Sequence, residues 1–179
     1  MADADFSIEA AWDVSSPCYV RKLKKGSHWE DGESPSDRVD SIVEKDFRLD
    51  QDGVVSVFQV RSGVDLRRVA VGLNATRDSL SEDIFLIAIL PDELQGVLAE
   101  PTPGDTKCLW ANRLHHNLVV ERQSGFTSVV ESLIRAGRKP KKFTRSKMRR
   151  AVEEARREGC YATRDRATSS DPCVCERGT

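Results

Sequence analysis

The sequence predicts an α+β or α/β fold: a small mixed sheet with helices packed on it, followed by a basic C-terminal helix and a disordered tail. Three observations lead there. Val54-Val55-Ser56-Val57-Phe58-Gln59-Val60 is dense in β-branched residues, which suit the pleated, half-buried surface of a strand. Ile84 to Leu90 is apolar throughout, as expected of a strand covered on both faces. Between and after these runs, apolar residues recur at helical spacing, as in Leu66, Val69, Ala70 and Leu73. Strand and helix patterns alternating along one chain give a layered structure.

The first 16 residues read as a flexible acidic leader, with Asp3, Asp5, Glu9 and Asp13, although Phe6, Ile8 and Trp12 can dock if the body offers a groove. Residues 17–137 read as one compact domain, an ordinary size for a single core. Cys18 to Lys24 alternates as a strand does, and its Arg and Lys residues place it at a sheet edge, where charge discourages unwanted pairing. Gly26 to Pro35 is a loop. Ser36-Asp37 starts a helix whose Val39, Ile42, Val43 and Phe47 share a face. The turn Asp50-Gln51-Asp52-Gly53 leads into the β-branched strand, and Asp65 caps the next helix. Pro91 opens a brief helical turn after the apolar strand. Pro101 to Thr106 is a loop, Lys107 to Trp110 predicts a short strand, and Leu114 to Val120 fits either a strand or a helix. Phe126, Val129, Val130, Leu133 and Ile134 form a helical stripe closed by Gly137.

Residues 138–160 read as a basic linker and helix. Thr144 is its N-cap, with Phe143 and Met148 placed as a hydrophobic staple and Gly159 as its end. The apolar stripe of this helix (Met148, Ala151, Val152, Ala155) is thin and predicts shallow burial. Residues 161–179 have no periodicity and read as the disordered tail.

Charge carries the functional reading. Lys and Arg total 28 against 29 Asp and Glu, for a net −1. Between Arg135 and Arg166 thirteen bases face only Glu153, Glu154, Glu158 and Asp165, a local +9 that leaves −10 for the rest of the chain. From Arg135 to Arg150 there are nine bases and no acid. Such a segment attracts polyanions. The candidate nucleic-acid-binding residues are therefore Arg138, Lys139, Lys141, Lys142, Arg145, Lys147, Arg149 and Arg150, acting by counterion release from phosphates with little sequence selectivity. A non-enzymatic binding module is the leading expectation. The alternatives are a protein-interaction module, inhibitor or assembly partner, that docks the basic helix on an acidic protein, and a segment that folds back on its own acidic body. Gly137-Arg138-Lys139-Pro140 resembles the Gly-Arg-Pro core of the minor-groove AT-hook, with Lys139 interposed between arginine and proline.

A second alternative is a Cys/His enzyme. Cys108 lies near His115 and His116, and a thiol beside an imidazole makes a nucleophile with its base. Adjacent histidines on a strand point to opposite faces, so at most one can face Cys108. Cys160, Cys173 and Cys175 supply three thiols without a fourth ligand, so free thiols are expected rather than a metal site. Aligning Gly53 with the invariant glycine of a calcium loop puts Arg48 and Gln59 at the terminal ligand positions, which defeats the site. Gly104-Asp105-Thr106-Lys107 lacks the rest of a phosphate loop, and no G-x-G-x-x-G, H-E-x-x-H or G-x-S-x-G occurs. No catalytic residue and no cofactor is predicted. Seven consecutive apolar residues fall short of the roughly 20 that cross a bilayer, and five scattered cysteines argue against a secreted disulfide scaffold. A cytoplasmic protein is expected.

Overall fold

The computed structural model describes residues 6–14, 17–24, 29, 34–74, 83–104, 106 and 108–158. In chain order the elements are α1 (Ile8–Trp12), β1 (Cys18–Leu23), α2 (Pro35–Lys45), β2 (Val54–Val60), α3 (Gly63–Asn74), β3 (Ile84–Ile89), a 3-10 turn at Pro91–Leu94, β4 (Leu98–Pro101), α4 (Leu109–Arg113), β5 (His115–Val119), a second 3-10 turn at Gln123–Phe126, α5 (Thr127–Arg135), β6 (Lys141–Phe143) and α6 (Arg145–Arg157). The six strands form one sheet in the order β4-β5-β2-β1-β3-β6. Every neighbouring pair is antiparallel. The fold is therefore α+β, because alternation of strand and helix along a chain leaves strand direction open.

Helices cover both faces. On one side Phe6, Trp12, Leu66, Val69, Ala70, Ala111, Phe143 and Met148 share a core with Val20, Phe58 and Leu86 of the sheet, which places α1, α3, α4 and α6 in one layer. On the other side Val39, Ile42 and Val43 of α2 and Val129, Val130 and Leu133 of α5 pack on Val55, Val57, Ile87 and Leu118.

Several local expectations are corrected. β1 is central rather than an edge: Val20 lies opposite Phe58 on one side and Ala88 on the other. Its cations are tolerated there because backbone carbonyls receive them. Arg21 donates through Nε to Asp46 (3.0 Å) and through a terminal nitrogen to Ser56 (2.7 Å), and Lys22 donates to Leu73 (3.0 Å). Burial pulls the Arg21 pKa down to about 10, against the opposing pull of Asp46. Lys107 to Trp110 is not a strand; α4 starts at Leu109, and the ambiguous stretch after it is β5. Ser34, not Ser36, caps α2 by accepting from the Asp37 N–H. The Ser62 hydroxyl accepts from the Asp65 N–H, while Asp65 itself accepts from the Arg61 N–H.

The two chain ends differ most from expectation. Phe6, Ile8, Trp12 and Val14 are buried, so the described part of the leader belongs to the core. Phe6 stacks on Phe143 at 5.2 Å, and a Cβ on Gly63 would come within 2.8 Å of the Phe6 carbonyl oxygen. Past Gly137 the chain does not leave the body: β6 extends the sheet beside β3, and Phe143 and Met148 are fully buried. Alanines at positions 151 and 155 let α6 approach α3 closely, so a thin stripe suffices for burial. The predicted tail, 161–179, lies outside the described residues, as do Cys160, Cys173 and Cys175. Among the described residues no helix is long and apolar enough to cross a membrane.

Candidate nucleic-acid interface

The basic segment begins where α5 ends. Gly137 takes φ +67°, its N–H bonds the Ile134 carbonyl (3.0 Å), and the Arg138 N–H reaches back to Leu133 (2.9 Å). This pair of bonds is a Schellman cap, which needs a residue that accepts the left-handed conformation. It also aims Arg138 at the turn after β3. Arg138 Nε donates to Glu93 Oε1 at 2.8 Å, with the two side chains only 14% and 6% exposed. Glu93 Oε2 accepts the Leu90 N–H at 2.7 Å. Arg138, one of the residues expected to contact phosphate, is thus engaged through Nε by a carboxylate of the same chain. Gly137 closes α5 and Arg138 ties the chain to the turn after β3.

β6 pairs Lys141, Lys142 and Phe143 with Leu86, Phe85 and Ile84. Alternation along the strand puts Lys141 on the α6 side with the buried Phe143 and sends Lys142 to the opposite face. There Lys142 Nζ sits 2.7 Å from Asp83 Oδ2 and 5.8 Å from the Phe85 ring. Asp83 Oδ1 accepts the Arg145 N–H at 2.6 Å, so Asp83 closes the start of α6, and the Thr144 hydroxyl pairs with Ser146 instead. The hydrogen bond from Lys142, followed by that from the Arg145 backbone, holds the Asp83 carboxyl below its ordinary pKa.

On α6 the buried face is Met148, Ala151, Val152 and Ala155. One flank is tied to α3: Arg67 reaches Glu154 at 3.1 Å and Glu158 at 3.3 Å. Lys147 lies over the Phe6 and Phe143 rings at 5.8 and 5.6 Å. The exposed face carries Arg145, Arg149, Arg150, Glu153, Arg156 and Arg157. Arg149 pairs with Glu153 one turn on, at 3.1 Å. Among the described residues, the side chains of Lys139, Lys141, Arg145 and Arg150 form no hydrogen bond or ion pair. The eight sequence candidates therefore divide. Arg138 and Lys142 hold the fold together, Lys147 lies over aromatic rings, Arg149 has an exposed partner, and the other four are exposed with no ion pair among the described residues.

The sheet also separates charge. In the layer of α3, α4 and α6, the bases Arg67, Arg68 and Arg113 join Arg145, Lys147, Arg149, Arg150, Arg156 and Arg157 against Asp65, Glu153 and Glu154. Across the sheet, α2, α5 and the first 3-10 turn carry Asp37, Asp40, Glu44, Asp92, Glu93 and Glu131 against Arg38, Lys45 and Arg135. Glu9 of α1 is the further acid within an element on the basic side. A chain of net charge −1 thus carries a basic helical layer on one side of its sheet and an acidic one on the other. Sequence reasoning missed Arg156 and Arg157 as site residues. Their spacing of seven and eight from Arg149 places them on the same exposed side, which could have found them.

His115 and His116 sit opposite Phe58 and Val57 on β2 and face opposite sides of the sheet. The His115 ring meets Phe58 edge-on at 5.1 Å and the His116 ring meets Tyr19 at 5.4 Å. Each imidazole donates from Nδ1 to a carbonyl, His115 to Thr102 (2.9 Å) and His116 to Leu114 (3.0 Å). Cys108 is buried in the core beneath α3, and among the described residues no hydrogen bond joins its thiol to either ring. No group of three or more His, Cys, Asp or Glu among the described residues is arranged to hold a metal. Burial pushes the Cys18 thiol up to about 12, far from a reactive thiolate.

No protein-family model, curated protein or solved structure matches this chain.

Proposed function

We propose that this protein is a non-enzymatic α+β binding module that contacts nucleic-acid phosphates with the β6 edge and the outer face of α6. One observation supports this reading above the others: among the described residues the side chains of Lys139, Lys141, Arg145 and Arg150 form no ion pair, and they stand on or beside β6 and α6, across the sheet from helices richer in acid. A phosphate backbone neutralises these charges and releases its own condensed counterions. Arg157, whose side chain donates, among the described residues, only to the Glu153 backbone carbonyl, is a fifth contact. The described aromatic rings near this face, Phe6 and Phe143, are buried, so stacking on splayed bases is not the favoured mode. Duplex backbone contact with little sequence selectivity follows. The protein is placed in the cytoplasm on this reading.

A second reading, docking on an acidic protein, is favoured by one feature. Glu153 sits in the middle of the exposed basic face and would repel a uniform line of phosphates, whereas a protein surface can match it with a cation. Fluorescence anisotropy with a labelled duplex of about 20 base pairs at low salt tests the proposal, since phosphate contacts bind most tightly there. Lys141, Arg150 and Arg157 replaced together by Glu should abolish binding while leaving the thermal transition in place. If wild type fails to bind duplex DNA or RNA at low salt, the docking reading replaces this one.

A further inference from the structure

We infer that the nucleic-acid footprint extends beyond α6, across α3, to a second phosphate-binding point formed by the Arg68 guanidinium over the Trp110 ring. The inference rests on the nucleic-acid reading above and deepens it. Consecutive residues on a helix point about 100° apart, and Arg67 and Arg68 reach opposite neighbours. Arg67 turns to α6 and is neutralised by Glu154 and Glu158. Arg68 turns to α4, where its guanidinium carbon lies 4.3 Å from the centroid of the Trp110 ring.

The two arginines differ in what is left for a ligand. Arg68 is partly buried, yet among the described residues it makes no hydrogen bond or ion pair. The comparison within this protein is Arg21, whose buried guanidinium donates to two backbone carbonyls. Arg68 instead lies over an aromatic ring, and among the described residues its N–H groups have no acceptor. Bidentate recognition of a phosphate needs the N–H fork, presented at little further cost in side-chain entropy. Trp110 is itself held by packing, since its buried Nε1 has no acceptor among the described residues. Arg113 brings a second guanidinium to 5.8 Å from the centroid of the same ring. No carboxylate of the described residues pairs with Arg68. The locus lies in the same helical layer as α6, with α3 between them, so one polyanion crossing α6 and α3 passes over both.

The test is the salt dependence of duplex binding by Arg68→Ala beside wild type. Each phosphate contact contributes about −0.9 to the slope of log affinity against log salt. The slope should become shallower by about 0.9 in Arg68→Ala, with several-fold weaker binding at low salt. Duplex should also perturb tryptophan emission in wild type, and Trp110→Phe should lose that change. If Arg68→Ala unfolds the protein, Arg68→Gln supplies the same measurement with the side chain's bulk retained. A wild-type slope in the Arg68 variant, with wild type still binding in a salt-dependent way, overturns this inference and leaves the α6 interface standing. If wild type does not bind at all, the interface falls and this locus falls with it.

Discussion

Arg138 and Glu93, 45 residues apart, form a part-buried ion pair that fastens the start of the basic segment to the turn following β3. The same carboxylate caps that turn through the Leu90 N–H, so a single acid organises both the exit from β3 and the entry to β6. A basic run that looks uniform in sequence is thereby split into cations that hold the fold and cations that face solvent.

Removing one partner of this pair leaves the other charged and buried. Arg138→Ala is expected to lower unfolding free energy by about 3–5 kcal/mol, the usual cost of orphaning a buried charge. Urea denaturation measures it. Where the variant remains folded, its duplex-binding salt slope should match wild type; a loss of less than about 1 kcal/mol would mean the pair behaves as a surface contact.

The chain beyond Gly137 should be indispensable to the body. Met148 is fully buried, and Met148→Ala should cost about 2–5 kcal/mol through lost burial and a residual cavity. A chain ending at Gly137 loses β6 and α6 and uncovers Phe6, Leu66, Val69, Ile84 and Leu86. It should bind a hydrophobic dye and lose its sharp thermal transition. Cooperative unfolding of that shortened chain at the wild-type temperature would refute the packing described above.

Asp83 gives the start of α6 a pH dependence of known sign. Its folded pKa is depressed, chiefly by the Lys142 hydrogen bond, so its contribution to stability is fully present above the unfolded value, near 3.9 for a free Asp, and is lost as pH falls through the folded value. Asp83→Asn should therefore lower the melting temperature at neutral pH and reduce the acid-induced loss of stability below about pH 4. Melting curves across that range decide it. A variant with an unchanged acid limb would show that Asp83 does not cap the helix.

How much of this was legible in the sequence depends on how local each cause is. β2 and β3 could be read because β-branched and apolar runs report their own burial, and the left-handed Gly137 is visible as a glycine closing a stripe. The central place of β1 was not, because Arg21 is satisfied by carbonyls of Asp46 and Ser56, 25 and 35 residues away. The depth of α6 was hidden for a related reason: Ala151 and Ala155 bury little area themselves but permit the close approach that buries Met148 and Val152. Docking of the leader depends on Phe6 finding Phe143 across most of the chain. For the candidate interface, composition located the segment, whereas the division between occupied and unoccupied cations required the partners Glu93, Asp83 and Glu153. The same holds for Arg68, whose neighbour on α4 has no signature in sequence.

The central claim is that a defined set of outward cations binds phosphates, and the salt dependence of duplex affinity tests it most directly. Lys139, Lys141, Arg145, Arg150 and Arg157 as five contacts predict a slope of log affinity against log salt of about −4.5, rising in magnitude to about −5.4 with Arg68 included. Measured for wild type from about 50 to 200 mM salt, a slope in this interval supports the account. Absence of binding at the lowest salt, or a slope shallower than about −1, would contradict it and assign the basic face to an acidic protein partner.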